Sequence, residues 1–123
     1  MSKHVLIVSE NANKNIIDIF DALSILVTET KTLESTLAAI KMTAFDVILI
    51  DIFHYPDTGL DYLYAIKHNC ETNAKMFIMS DSEALKVTTP DWERMNRLVI
   101  AKGAEGLIST PTTSAELTKI LSD

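Results

Sequence analysis

Asp46-Val47-Ile48-Leu49-Ile50-Asp51 is a short apolar run bracketed by carboxylates. Four consecutive β-branched or leucine side chains, with no polar alternation, are the pattern of a strand buried on both faces. Asp51 then falls at the carboxyl end of that strand. In open α/β sheets, ligands collect outside the carboxyl ends of the strands. An ionised Asp in that place is a site candidate. Its plain alternative is a helix cap or a loop residue.

The pattern repeats on both sides of this stretch. Upstream, Val5-Leu6-Ile7-Val8 is a second all-apolar run, ending in Ser9-Glu10. Asn11 and Asn13 offer N-caps, and Ile16, Ile17, Phe20 and Leu23 follow at helical spacing. Ile25-Leu26-Val27 makes another strand, fading into Thr28-Glu29-Thr30. Leu33, Leu37, Ala38 and Ile40 define the next helix, with Thr32 as its cap. Downstream, Ile52 to Gly59 carries Pro56, Asp57 and Gly59 and reads as a loop. Leu60, Leu63, Tyr64 and Ile66 predict a helix. Met76-Phe77-Ile78-Met79 is the next buried run, ending in Ser80-Asp81. Thr89-Pro90 opens a helix striped by Trp92, Met95, Leu98 and Val99 and closed at Gly103. Gly106-Leu107-Ile108 is a last short strand ending in Ser109-Thr110-Pro111. Thr113 and Glu116 form a capping-box pattern ahead of Leu117, Ile120 and Leu121.

Strand followed by helix, five times over, implies right-handed crossovers and a parallel sheet covered on both faces. The three most apolar strands, the first, third and fourth, should be central. Their carboxyl ends carry Ser9-Glu10, Asp51 and Ser80-Asp81, and the fifth adds Ser109-Thr110. One polar strand end is unremarkable, whereas four at one rim define a site.

Composition bounds the class. The chain has 123 residues, which fits one domain over residues 1–123. A hydrophobic share of 47% with 23% charged residues is ordinary globular material. The net charge of -6 speaks against a general nucleic-acid binder or a membrane-surface protein. Cys70, the one cysteine, forms no internal disulfide and fits a reducing compartment. Its bland reading is a half-buried helix residue. The apolar run after Met1-Ser2-Lys3-His4 is too short for a signal-peptide core or a membrane span. The expectation is a soluble cytoplasmic protein. Met42, Met76 and Met79 read as core filler, and His4 and His68 as surface residues. His54 reads as a solvated loop residue near the rim.

At the rim, Glu10 and Asp51 are expected to be neighbours. Two carboxylates a few ångströms apart do not both ionise freely, so they share a proton or hold a cation between them. Oxygen donors suit Mg²⁺. No Cys or His pair supports zinc. Ser80 offers a hydrogen bond to a phosphoryl oxygen, and Asp51 is placed to act as nucleophile and form an aspartyl phosphate. A metal would offset the charge of the incoming group.

Over its whole length, from His4 to about Leu121, the chain resembles a response-regulator receiver domain of two-component signalling. The matching pieces are Val5 to Glu10, Asp46 to Asp51 with Pro56 and Gly59 after it, Ile78-Met79-Ser80, and Gly103 to Pro111. The resemblance implies a flavodoxin-like (βα)5 fold, a doubly wound five-stranded parallel sheet in the order 2-1-3-4-5. It implies that Asp51 accepts phosphate from a histidine kinase or phosphotransfer protein. Glu10, Asp51 and the backbone carbonyl of Phe53 would hold Mg²⁺, and the Ser80 hydroxyl would contact the phosphoryl group. It also implies a cis bond at Thr110-Pro111, a form that the tertiary amide makes accessible.

The departures from the family are concentrated at the site. Ser9 stands where one of the two acids of the first loop is usual. Thr110 replaces the Lys that normally pairs with the phosphate and the Asp. Losing a hydrogen bond to a charged group removes about 1.5–3 kcal/mol, or about ten- to a hundred-fold in stabilising the phosphorylated form. Lys102 is too far along the preceding helix to replace it. Leu107 occupies the aromatic switch position. Pro56 is one place late. The segment between Ser80 and Gly103 is about two turns of helix longer than usual, and receivers often signal through it. Two expectations follow. One is an atypical receiver, a signalling switch rather than an enzyme, that takes a phosphoryl group on Asp51 and acts on a downstream protein target. The other is a pseudo-receiver, a phosphorylation-independent interaction module. Trp92 and Met95 mark a partner face if exposed, with core packing as the default reading. The expectation is that no output domain follows the last helix and that the effect passes through a partner.

Overall fold

The structure is a computed structural model and describes residues 3–9, 14–51, 56–81, 89–110 and 112–121. Side chains are described within these ranges except at 56–60, 80–81, 89–92 and 109–110. In chain order the elements are β1 (His4–Val8), α1 (Lys14–Ala22), β2 (Leu26–Thr30), α2 (Leu33–Met42) and β3 (Val47–Asp51). They continue with α3 (Pro56–Asn69), β4 (Lys75–Asp81), α4 (Thr89–Ala101), β5 (Gly106–Thr110) and α5 (Ser114–Leu121). All strand pairs are parallel, and the sheet order is β2-β1-β3-β4-β5. This is the flavodoxin-like order expected from the sequence.

The three apolar strands are the central ones, as their composition requires. Val5 to Val8 and Val47 to Ile50 are almost wholly excluded from solvent. Alternate residues face opposite layers. Leu6, Val8, Ile48, Ile50 and Ile78 pack with Ile40 of α2, Leu63 and Ile66 of α3, and Val99 of α4. Val5, Ile7, Val47, Leu49, Met79 and Ile108 pack with Ile16 and Phe20 of α1 and Leu117 of α5. Helices α1 and α5 thus cover one face, and α2, α3 and α4 the other.

Several local expectations are corrected. Helix α3 begins at Pro56, so the turn residues from Pro56 to Gly59 are its first turn and not loop. Proline is at home there, because its fixed φ suits the helix and its missing N–H lacks an intrahelical partner anyway. Strand β2 runs fully through Thr30, because its backbone pairs with β1 as far as Val8↔Thr30. Met76 and Met79 are core residues, but Met42 is 86% exposed. It is the last residue of α2, two residues past buried Ile40 and therefore on the opposite side of the helix. Tyr64, assigned to the apolar stripe of α3, is exposed and stacks on His68 one helical turn on. His4 is half-buried, not superficial: its ring lies edge-on to Phe45, and Nε2 is 2.7 Å from the Thr28 hydroxyl. Cys70 is half-buried against the core, one residue past the end of α3.

Candidate functional site

The sheet register brings the polar strand ends together. Val8 of β1 pairs with Ile50 of β3, which places Ser9 alongside Asp51. Asp51 pairs with Met79, so Ser80 lies one residue further along β4. Ser80 pairs with Ser109, and Asp81 with Thr110. Ser9, Asp51, Ser80 and Thr110 therefore occupy one rim on four adjacent strands. Glu10 and Phe53 lie outside the described residues, as do His54 and Pro111.

Ser9 is nearly buried and continues the line of β1, its N–H donating to the Thr30 carbonyl at 3.0 Å. Its hydroxyl donates to Asp51 Oδ2 at 3.1 Å. The carboxylate of Asp51, half-buried at the strand end, is thereby oriented by a neutral donor. Behind Ser9, Thr30 and Thr36 form a buried hydroxyl pair at 2.7 Å, and Thr36 also donates to the Thr32 carbonyl. This leaves both buried hydroxyls hydrogen-bonded, as burial of polar groups demands.

The described donors at the rim are a carboxylate and a hydroxyl. Such hard oxygen donors fit Mg²⁺ better than zinc or copper. Among the described residues no group of three His, Cys, Asp or Glu converges on a common point.

The other singled-out positions divide. Leu107 is half-buried and packs, like Met95, against the layer formed by α2, α3 and α4. Met95 therefore serves the core. The Trp92 side chain lies outside what is described. Two residues escaped sequence reading. Asn96 of α4 accepts the Leu107 N–H through Oδ1 at 2.8 Å, capping the edge strand at the switch position. A Cβ at Gly106 would sit 3.2 Å from that same oxygen, so glycine gives the contact its room. Asn15 of α1 is bonded to the backbone of Thr112, ninety-seven residues away. Neither leaves a periodic or motif signal in the sequence, because each depends on which loops the fold brings together.

The fold is that of a response-regulator receiver domain. A response regulator from Thermotoga maritima matches with a TM-score of 0.77 at 15% identity, over 100% of both chains. The chemotaxis response regulator CheY4 of Vibrio cholerae matches with a TM-score of 0.68 at 20% identity, over 98% of this chain and 97% of the other. The receiver domain of NtrC4 from Aquifex aeolicus matches with a TM-score of 0.70 at 19% identity, over 97% of this chain and 93% of that one. No protein-family model matches the sequence, and no curated protein matches it significantly.

Proposed function

We propose that this chain is an atypical phosphorelay receiver that accepts a phosphoryl group on Asp51. The observation carrying the proposal is the half-buried Asp51 carboxylate at the carboxyl end of central strand β3, oriented by the Ser9 hydroxyl at 3.1 Å. The rim it shares with Ser80 and Thr110 supports the same reading. A carboxylate oxygen of Asp51 attacks the phosphorus of a phosphohistidine on a histidine kinase or phosphotransfer protein. The P–N bond breaks, its electron pair stays on the imidazole nitrogen, and an aspartyl phosphate forms. Asp51, Glu10 and the Phe53 carbonyl would hold Mg²⁺, which supplies positive charge against the phosphoryl oxygens when bound. The Ser80 hydroxyl is assigned to one of those oxygens. Thr110 brings no cation to that rim, so the acyl phosphate is less stabilised than in a receiver with Lys there. The module works as a switch on a downstream protein target and not as an enzyme on a diffusible substrate. The net charge of -6 supports a protein partner over nucleic acid. Among the described residues, no helix is long and apolar enough to cross a membrane.

The test is intact-mass analysis after Mg²⁺ and a small-molecule phosphodonor. One phosphoryl adduct is expected on the native chain and none on Asp51→Asn. A pseudo-receiver is the second reading, favoured by the neutral Ser9 contact where an acid is usual. No adduct, together with no Mg²⁺-dependent shift of amide resonances near Asp51, would decide for it and against the relay.

A further inference from the structure

Thr112 is a buried polar residue tied on three sides. Its N–H donates to Asn15 Oδ1 at 3.0 Å, and its carbonyl accepts from Asn15 Nδ2 at 3.5 Å. Its hydroxyl donates to Glu116 Oε2 at 3.2 Å. It is 8% exposed, so each of these bonds replaces one to water. Asn15 lies in the first turn of α1, and Thr112 just ahead of α5. One amide side chain therefore joins the beginnings of the two helices on the same face of the sheet.

The chain reaches these helix starts from the rim: Ser9 is five residues ahead of α1, and Thr110 is four ahead of α5. A planar amide that both accepts from and donates to one residue's backbone fixes that residue in direction as well as distance. Both bonds from the Asn15 amide join neutral groups, so they respond little to the charge on Asp51.

We infer that Asn15 is a positioning residue that sets the place of Thr110 at the rim by clamping the backbone of Thr112 to α1. In this chain, whose residue 110 is Thr and not Lys, a neutral clamp holds Thr112, two residues past the end of β5. The inference rests on the proposed chemistry of Asp51 for its functional consequence, but the clamp itself is measurable without it.

The experiment compares the native chain, Asn15→Ala and Asn15→Asp by amide hydrogen exchange and by resonance assignment. The same three proteins are then treated with Mg²⁺ and a small-molecule phosphodonor. Asn15→Ala should speed exchange at the Thr112 amide by about tenfold and move the Thr110 amide resonance, in a protein that still folds and unfolds cooperatively. It should also slow adduct formation on Asp51. Asn15→Asp keeps the acceptor for the Thr112 N–H and should restore the slow exchange. Unchanged exchange at Thr112 in Asn15→Ala overturns the clamp. Faster exchange with an unmoved Thr110 resonance and an unchanged adduct rate makes Asn15 a structural contact only, and overturns its positioning role. If the native chain forms no adduct, the relay reading falls while exchange at Thr112 and the Thr110 resonance still decide the clamp.

Discussion

Ser24 takes a left-handed backbone conformation at φ +60°, the one such non-glycine among the described residues. It sits where α1 turns into β2. The Ser24 N–H bonds to the Asp21 carbonyl and the Ile25 N–H to the Phe20 carbonyl. The end of α4 repeats this geometry with Gly103 at φ +108°, its N–H on Ile100 and that of Ala104 on Val99. Both are Schellman closures, in which glycine avoids the clash of Cβ with the following carbonyl. A Cβ at Gly103 would also lie 2.9 Å from Lys67 Cε. At Ser24 the clash is tolerated. Ser24→Gly is therefore expected to stabilise the protein by about 1 kcal/mol, read as a rise of roughly 4 °C in Tm. An unchanged or lower Tm would show that the hydroxyl or the lost backbone entropy of glycine outweighs the strain.

At the scale of the element, the starts of α2 and α5 were legible, whereas the caps expected for α1, Asn11 and Asn13, lie outside the described residues. Thr32 caps α2 as its sequence position indicates: the Ser35 N–H donates to Thr32 Oγ at 3.1 Å, and Ser35 Oγ accepts from the Thr32 N–H at 3.3 Å. A serine takes the place of the usual Glu or Gln in this capping box. Thr32→Ala removes the acceptor, and the Thr32–Ser35 exchange with it, and should lower stability by about 1 kcal/mol in chemical denaturation. The loss should appear in the midpoint with the denaturant slope unchanged. The capping pattern ahead of α5 is met in one direction, with the Glu116 N–H donating to Thr113 Oγ at 3.2 Å. The Glu116 carboxylate instead receives the Thr112 hydroxyl. Short-range pattern identified the cap; the partner of the carboxylate was set by the tertiary position of Thr112. The start of α3 runs against its local pattern for a related reason. Proline followed by glycine is turn chemistry in isolation, and only docking of the helix on the sheet outweighs the low propensity of Gly59, about 1 kcal/mol relative to Ala.

Across the whole molecule, one sheet separates two apolar layers, and adjacent residues of β3 serve different ones. Ile48 belongs with α2, α3 and α4, and Leu49 with α1 and α5; both are wholly buried. Truncating either to Ala should remove about 2–5 kcal/mol through lost transfer energy and a residual cavity. Because both layers rest on the same strands, each variant is expected to unfold in a single transition. Coincident far-UV and near-UV circular dichroism curves would bear this out. Separated curves would mean that one helical layer melts independently of the other.

Much of this architecture was determined by the sequence alone. Short unbroken β-branched and leucine runs bounded by polar residues fit strands covered on both faces, and their alternation with amphipathic helices identified a parallel sheet with Val5 to Val8 and Val47 to Ile50 at its centre. The strand ends then placed Ser9, Asp51, Ser80 and Thr110 at one rim, since parallel strands all point the same way. Tertiary structure alone decided what touches what there. The Ser9 bond to Asp51 arises from a sheet register spanning forty-two residues. The Asn15 clamp on Thr112 spans ninety-seven. The exposure of Met42 and Tyr64 follows from which face of α2 and α3 docks on the sheet: each lies two residues from a buried isoleucine, Ile40 and Ile66, and so on the opposite side of its helix. Helical spacing groups residues by face, but only the packed layers decide which face is covered.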